Sequence, residues 1–222
     1  MAALTAYKKK RDFTATSEPA GKIKKTGKAL KFVVQRHAAS RLHYDFRLEM
    51  EGVLKSWAVP KGPSMNPADK RLAMMVEDHP YDYRTFEGTI PAGNYGAGEV
   101  EIWDEGTYEA LQEEPPKKSS LASGREEAVL LAALKKGSLK FILHGEKLKG
   151  SFALVKMKTA DNGNAWLLIK HDDAYAVSKN YDAENYTSKT SKVTRAVSAK
   201  KAKKGAAASA TVKKKPLKQQ KG

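Results

Sequence analysis

Two histidines, an aspartate and an arginine fall close together in Gln35-Arg-His37-Ala-Ala-Ser-Arg-Leu-His43-Tyr-Asp45-Phe-Arg47-Leu. On a β-strand, alternation sends His43, Asp45 and Arg47 to one face and Tyr44, Phe46 and Leu48 to the other. An imidazole, a carboxylate and a guanidinium in a row suit a metal ion beside a phosphate. His37 lies six residues before His43, so a short turn through Ala38-Ala-Ser40 brings it within reach of the same site. Two His and one Asp leave coordination positions open and suit Mn²⁺, Zn²⁺ or Fe²⁺. Such an ion polarises a phosphoryl oxygen. Arg47 can bind two phosphate oxygens, and its charge does not titrate away. The competing reading is a purely structural His43–Asp45 pair on a sheet face.

The elements needed to hold these residues read mainly as strands. Leu30–Arg36, Leu42–Met50, Leu54–Pro60 and Leu72–Glu77 come first. Glu99–Asp104 and Thr107–Leu111 flank Glu105-Gly106, a plausible hairpin turn. Ser138–His144, Gly150–Met157 and Ala165–Lys170 complete the set. About eight strands at this spacing predict a mainly β fold, a compact antiparallel β-barrel. One short helix is expected, opened by a capping box at Ser123-Gly-Arg-Glu126 and closed by Gly137, after a linker-like stretch at 113–120. Residues 1–28 read as a basic arm laid on the domain, 29–187 as the barrel, and 188–222 as a disordered Lys/Ala-rich tail.

Composition narrows the chemistry. The chain has 222 residues and no cysteine, so disulfides, thiolate zinc sites and cysteine nucleophiles are excluded. No apolar run reaches the ~20 residues of a membrane span, and Met1–Thr16 lacks an apolar signal region. A cytoplasmic protein is expected. The net charge is +16, unevenly placed: +7 over residues 1–31, −3 over 32–188 and +12 over 189–222. A nearly neutral body between two basic arms fits a polyanionic partner, nucleic acid first.

With these residues in view, the chain resembles a known family. Phe32-Val-Val-Gln-Arg-His37 through Arg47-Leu-Glu is similar to the 3′-phosphoesterase module of bacterial DNA ligase D, an end-joining repair ligase. The likeness continues through Trp57-Ala-Val-Pro-Lys61-Gly-Pro, Val76-Glu-Asp-His79-Pro, Phe86–Gly98, Gly145–Val155 and Trp166–Lys170. Upstream, Lys10-Arg11-Asp12-Phe13 with Glu18-Pro19 matches the N-terminal motif. The resemblance implies a Mn²⁺-dependent activity, with Co²⁺ or Zn²⁺ as other candidates. That activity removes a 3′-terminal ribonucleoside and then the 3′-phosphate, leaving a 3′-OH. It implies His37, His43 and Asp45 as metal ligands. Arg47 and His79 would contact the scissile phosphate, with His79 also a candidate general acid. Lys61, Arg71 and Tyr83 would line the site, and Arg11, Asp12 and Glu18 would serve nucleoside removal. The implied partners are DNA or RNA-tipped DNA 3′ ends and a separate ATP-dependent ligase or end-binding repair protein. A monomer near the bacterial nucleoid, away from membranes, is expected. No ligase or polymerase segment is visible in these residues.

Other features weigh less. Gly88–Gly98 is rich in glycine but lacks a Walker ending and dinucleotide spacing, and reads as a structural loop. His144 and His171 look structural or exposed, and Trp57, Trp103 and Trp166 look like core. An Fe(II) facial-triad oxygenase would take His79 or His144 as third ligand and leave His37 and Arg47 without a task. A nucleic-acid-binding module with a decayed site would bind in a salt-sensitive way without cleavage.

Overall fold

The computed structural model describes residues 4–21, 23–24, 27, 29–111, 123–158 and 163–212. Ten strands form one antiparallel sheet: β1 (Leu30–Ala38), β2 (Leu42–Met50), β3 (Val53–Val59), β4 (Lys70–Met75), β5 (His79–Pro80), β6 (Gly88–Ile90), β7 (Gly98–Ala110), β8 (Ser138–Gly145), β9 (Lys149–Lys156) and β10 (Ala165–Lys170). Two meanders, β1 to β4 and β7 to β10, join through β4–β10, and β1 pairs with β7 to close the ring. The result is the expected eight-stranded barrel. The short strands β5 and β6 hang on β3 and β7.

The barrel is filled by side chains from all eight strands, among them Phe32, Phe46, Trp57, Trp103, Phe141, Phe152 and Trp166. Tyr44, Phe46 and Leu48 of β2 face this core, as their alternation requires. A second apolar cluster, Tyr7, Leu54, Tyr83, Phe86, Ile90 and Val100, is separate from it. The alternate residues of β1 and β2 lie between the barrel wall and this cluster. There a polar side chain is buried without entering the barrel.

Met50 pairs with Val53, leaving Glu51-Gly52 as a two-residue hairpin with both φ angles positive, at 53° and 69°. Such turns match the twist of antiparallel strands.

Three sequence expectations change here. Glu105-Gly106 is not a turn: both residues lie within the continuous strand β7. Gly106 pairs with Phe32 on one side and Gly145 on the other, and an added Cβ would sit 2.2 Å from the His144 carbonyl oxygen. The glycine permits close backbone approach. The alternation changes phase at a bulge, where Asp104 faces Val34 and Ile102 faces Gln35. Trp103 and Tyr108 can therefore both face the core although five positions separate them. That slip makes one strand read as two.

The described chain also has three helices rather than one: α1 (Thr5–Lys9), α2 (Ser123–Lys136) and α3 (Lys192–Val212). Gly137 closes α2 with φ at 78°, as expected. The Glu126 carboxylate accepts from the Ala110 N–H at 2.9 Å. The linker-like stretch at 113–120 lies outside the described residues.

The tail expected to be disordered from Ser188 is helical over Lys192–Val212, and residues 213–222 lie outside the described ones. Its Ala and Lys content, read from composition as unable to fold, favours helix once one end is anchored. The anchors are Val193, 1% exposed, and Thr194, whose hydroxyl accepts from Arg36 at 3.0 Å. Farther along, Lys200 donates to the carbonyls of Ala38 and Ala39. The N-terminal arm is likewise pinned, by Tyr7, which is fully buried and donates to the Pro19 carbonyl at 2.7 Å.

Candidate metal centre

The hairpin of β1 and β2 builds the centre. His37 and His43 are direct cross-strand partners, and Asp45 follows two positions along β2 on the same face. The ring centroids of His37 and His43 lie 4.8 Å apart. Asp45 Oδ2 is 3.5 Å from His37 Nδ1, and Oδ1 is 3.6 Å from His43 Nε2. All three potential ligand atoms lie within 4.8 Å of one another.

Backbone carbonyls orient both rings. His37 Nε2 lies 2.8 Å from the Gly96 oxygen and His43 Nδ1 lies 3.0 Å from the Arg41 oxygen. A carbonyl only accepts, so each of these nitrogens carries the proton. The opposite nitrogens, the ones nearest Asp45, then keep free lone pairs. Metal-ligating histidines are fixed in this way. Burial opposes charge on Asp45, but the Arg47 guanidinium, 3.1 Å away, favours it, and the carboxyl is held well below the usual carboxylate range. The donor set of two nitrogens and an anionic oxygen, without sulfur, fits Mn²⁺ or another divalent ion of that class.

Arg47 is locked in place. Its Nε donates to Gln35 at 2.7 Å, Nη1 to Ser56 at 2.9 Å and Nη2 to Asp45 at 3.1 Å. Gln35 in turn donates to the Tyr83 and Phe86 carbonyls at 3.0 and 2.8 Å. This chain ties the guanidinium to the 3₁₀ turn Tyr81–Thr85, whose Tyr83 ring lies 4.9 Å away. The guanidinium keeps Nη hydrogens beyond these three bonds.

The N-terminal arm forms the far wall. Arg11 donates to Glu18 at 2.8 Å and Glu77 at 3.2 Å, sits over the Tyr7 ring with Cζ 3.9 Å from its centroid, and places Nη2 3.2 Å from His79 Nε2. Arg11 can only donate, so that nitrogen of His79 accepts; Nδ1, 2.9 Å from the Glu77 carbonyl, holds the ring proton. Burial, then Arg47 and Arg11, push His79 well below the usual histidine range. Tyr83 donates its hydroxyl to Glu18 at 2.9 Å, and burial raises its pKa well above the usual value. Arg11, His37, His43, Asp45, Arg47, Glu77, His79, Tyr83 and Tyr95 are among the residues around one cavity of about 170 Å³.

Three expected site residues lie elsewhere. Asp12 is exposed and accepts from the N–H and hydroxyl of Thr14 at 3.0 and 2.6 Å. It shapes its own turn and points at nothing in the cavity. Lys61 and Arg71 belong to a second cavity of about 420 Å³, shared with Tyr44, Asp69, Tyr181 and Glu184. Arg71 is held there by Asp69 at 2.8 Å and the Tyr181 carbonyl at 2.7 Å. The two cavities lie on opposite faces of β2, one with Tyr44 and the other with Asp45. That alternation separates Lys61 and Arg71 from the metal ligands.

Gln35, Ser56, Glu77, Lys10 and Tyr95 were not singled out from the sequence. Glu77 stands two residues before His79 on a short extended segment, and that spacing was its available signal. His144 pairs with Glu109 at 2.9 Å, away from the centre. The ligand cluster therefore contains neither His79 nor His144, either of which the oxygenase reading requires.

The profile of the DNA Ligase D 3′-phosphoesterase domain matches residues 35–156. The chain is 48% identical over 175 residues to the multifunctional non-homologous end joining protein LigD of Pseudomonas aeruginosa, covering 78% of this chain and 19% of that protein. Against the protein of the same name from Mycolicibacterium smegmatis the identity is 43% over 171 residues, 77% of this chain and 21% of that protein. The Mycobacterium tuberculosis LigD is 43% identical over 167 residues, 74% of this chain and 19% of that protein. The chain thus spans about a fifth of the length of these relatives. With its profile match running from the hairpin of β1 and β2 to β9, the chain belongs to the DNA ligase D 3′-phosphoesterase domain family.

Proposed function

We propose that this chain is a divalent-metal-dependent phosphoesterase that processes the 3′ ends of DNA strands in non-homologous end joining. Its substrates are strands ending in a 3′-ribonucleoside or a 3′-phosphate, and its final product is a 3′-OH. One observation carries this reading: a His37–His43–Asp45 ligand set shares a cavity with two arginines and a neutral histidine. Cationic groups around an anionic ligand cluster fit a substrate that is itself an anion.

His37, His43 and Asp45 would hold the ion, with Mn²⁺ the first choice and Co²⁺ or Zn²⁺ as substitutes. The ion supplies Lewis-acid charge at a phosphoryl oxygen. Arg47, held by Gln35 and Ser56, presents its remaining Nη hydrogens to the phosphate from a fixed position. Arg11 offers a second positive charge, held in place by Glu77 and by Glu18, which Tyr83 in turn orients. In the first reaction water adds to phosphorus and the bond to the terminal O5′ breaks. A nucleoside with a 5′-OH leaves, and the strand keeps a 3′-phosphate. In the second, water attacks that phosphate, the P–O3′ bond breaks, and inorganic phosphate departs. His79 starts neutral, so it can serve as an acid toward a leaving oxygen only once the negative charge of a bound phosphate has favoured its taking up a proton from water. The 3′-OH end is then open to a ligase, on a separate chain or in a longer protein.

The test is a labelled primer–template bearing one 3′-ribonucleotide, followed with and without Mn²⁺. Conversion to a 3′-phosphate and then to a 3′-OH is the expected result; an unchanged primer overturns the reading and leaves a binding module. His43→Ala removes one ligand and should depress both steps by at least about a hundredfold, as losing a metal's support does.

A further inference from the structure

We infer that Tyr95 is a stacking platform for the base of the 3′-terminal nucleoside, and that it sets the preference for nucleoside-bearing ends. The inference rests on the function proposed above and deepens it.

Tyr95 lies in the loop between β6 and β7, at the rim of the cavity that holds the metal ligands. It is 49% exposed, the one large aromatic lining that cavity that is open to solvent to this extent; Tyr83 is 2% exposed. The neighbouring residue Gly96 gives its carbonyl to His37. The ring thus stands one residue from the carbonyl that orients a metal ligand, which ties the platform to the metal centre through backbone.

The ring is not idle hydrophobic surface. Lys10 Nζ stands 4.6 Å from its centroid and 3.5 Å from its hydroxyl, and the Arg11 guanidinium lies 5.6 Å from the centroid. Lys10 is itself fixed by Glu77 at 3.0 Å. Two cations from the arm are therefore drawn up on an exposed aromatic beside the cavity, in a region that must take a phosphate and what is attached to it. A nucleobase offers an aromatic face to Tyr95, and its phosphate offers charge to Lys10 and Arg11. Base–aromatic stacking tolerates any base, because each has a π-face. This predicts recognition of the presence of a base rather than its identity. A 3′-phosphate end has no terminal nucleoside beyond the scissile bond and gains nothing from this platform.

The experiment compares three Mn²⁺-supplied primer–templates: one ending in a ribonucleoside, one in a ribose lacking its base, and one in a 3′-phosphate. Wild-type protein should favour the base-bearing end over the abasic end on the order of tenfold in kcat/KM, within the range that one stacked base provides. Tyr95→Ala should erase that preference, and Tyr95→Phe should keep it. The ratio of nucleoside removal to 3′-phosphate hydrolysis should fall by the same factor in Tyr95→Ala. Equal handling of the two ribose ends by wild type, or equal losses in the Phe and Ala variants, overturns the inference. The second result would assign Tyr95 to a hydroxyl latch on Lys10. A binding arm without turnover uses a terminal 2-aminopurine riboside in metal-free buffer. Stacking should quench its fluorescence with wild type and Tyr95→Phe and not with Tyr95→Ala, and absence of quenching overturns the inference. Failure of the proposed function itself looks different: the 3′-phosphate end would also stay intact with wild type.

Discussion

At the residue scale, the site works because its groups are held by partners the sequence does not advertise. His43, Asp45 and Arg47 share a face by strand alternation alone, and that much was legible. His37 was only nearby in sequence; cross-strand pairing places it directly opposite His43. Its ring tautomer is set by Gly96, 59 positions away, which no local pattern announces. Lys61 and Arg71 went the other way, assigned to the site by resemblance but placed in a different cavity. His79 has a consequence for stability. Its folded pKa lies well below the usual value, whereas the unfolded chain titrates near ~6.5. The unfolded state therefore binds the extra proton first. Stability from this group is fully present above pH ~6.5 and is lost as pH falls below it. Chemical denaturation in metal-free buffer should show unfolding free energy declining below pH ~6.5, by up to about 1.4 kcal/mol per pH unit from one group. His79→Gln should flatten that decline. Asp45, with its pKa lowered, contributes in the window below pH ~4, where protonation removes its stabilising charge.

At the element scale, strand count and barrel were readable because most strands alternate cleanly between core and outer face. β7 was not, because its alternation slips at Trp103–Asp104, and the Glu105-Gly106 pair just after the slip imitates a turn. The close packing of Gly106 gives a direct check. Gly106→Val places carbon where the His144 carbonyl oxygen lies 2.2 Å away, so β7 and β8 must separate. A loss on the order of 3 kcal/mol in urea unfolding is expected, near the upper end for overpacking. A turn residue would tolerate the change far better. The helix α3 was missed for a different reason: Lys and Ala do not supply a core, but they do not oppose helix either. Two or three contacts from the barrel decide between coil and helix in such a segment.

At the scale of the whole molecule, charge and catalysis are less separate than the charge distribution suggested. The C-terminal helix touches the tip of the ligand-bearing hairpin through Lys200, and Ala39 lines the metal cavity. Deleting it would therefore remove positive charge and a hairpin brace together. Substituting exposed lysines separates the two. Lys201→Gln with Lys203→Gln keeps the helix and the Lys200 bonds. If both residues meet DNA phosphates, the slope of log affinity against log salt should become shallower by about 2, near 0.9 per lost contact. Cleavage of a small phosphate ester should stay unchanged. Titration of DNA binding by fluorescence anisotropy at several salt concentrations reads this directly. No helix among the described residues is long and apolar enough to cross a membrane.

The seam of the barrel has a kinetic meaning. Leu30 pairs with Tyr108, so closing the ring brings together segments 78 positions apart. Such non-local pairing carries a large loop-closure entropy and places barrels among slow folders, typically in milliseconds to seconds. The hairpin bearing His37, His43 and Asp45 is local, and the hydrogen bonds of Arg47 to Asp45, Gln35 and Ser56 stay within β1, β2 and β3. The ligand set thus belongs to the part of the chain that can assemble early. The arm that supplies Arg11 and Glu18 can complete the cavity only after the strands beneath it are in place.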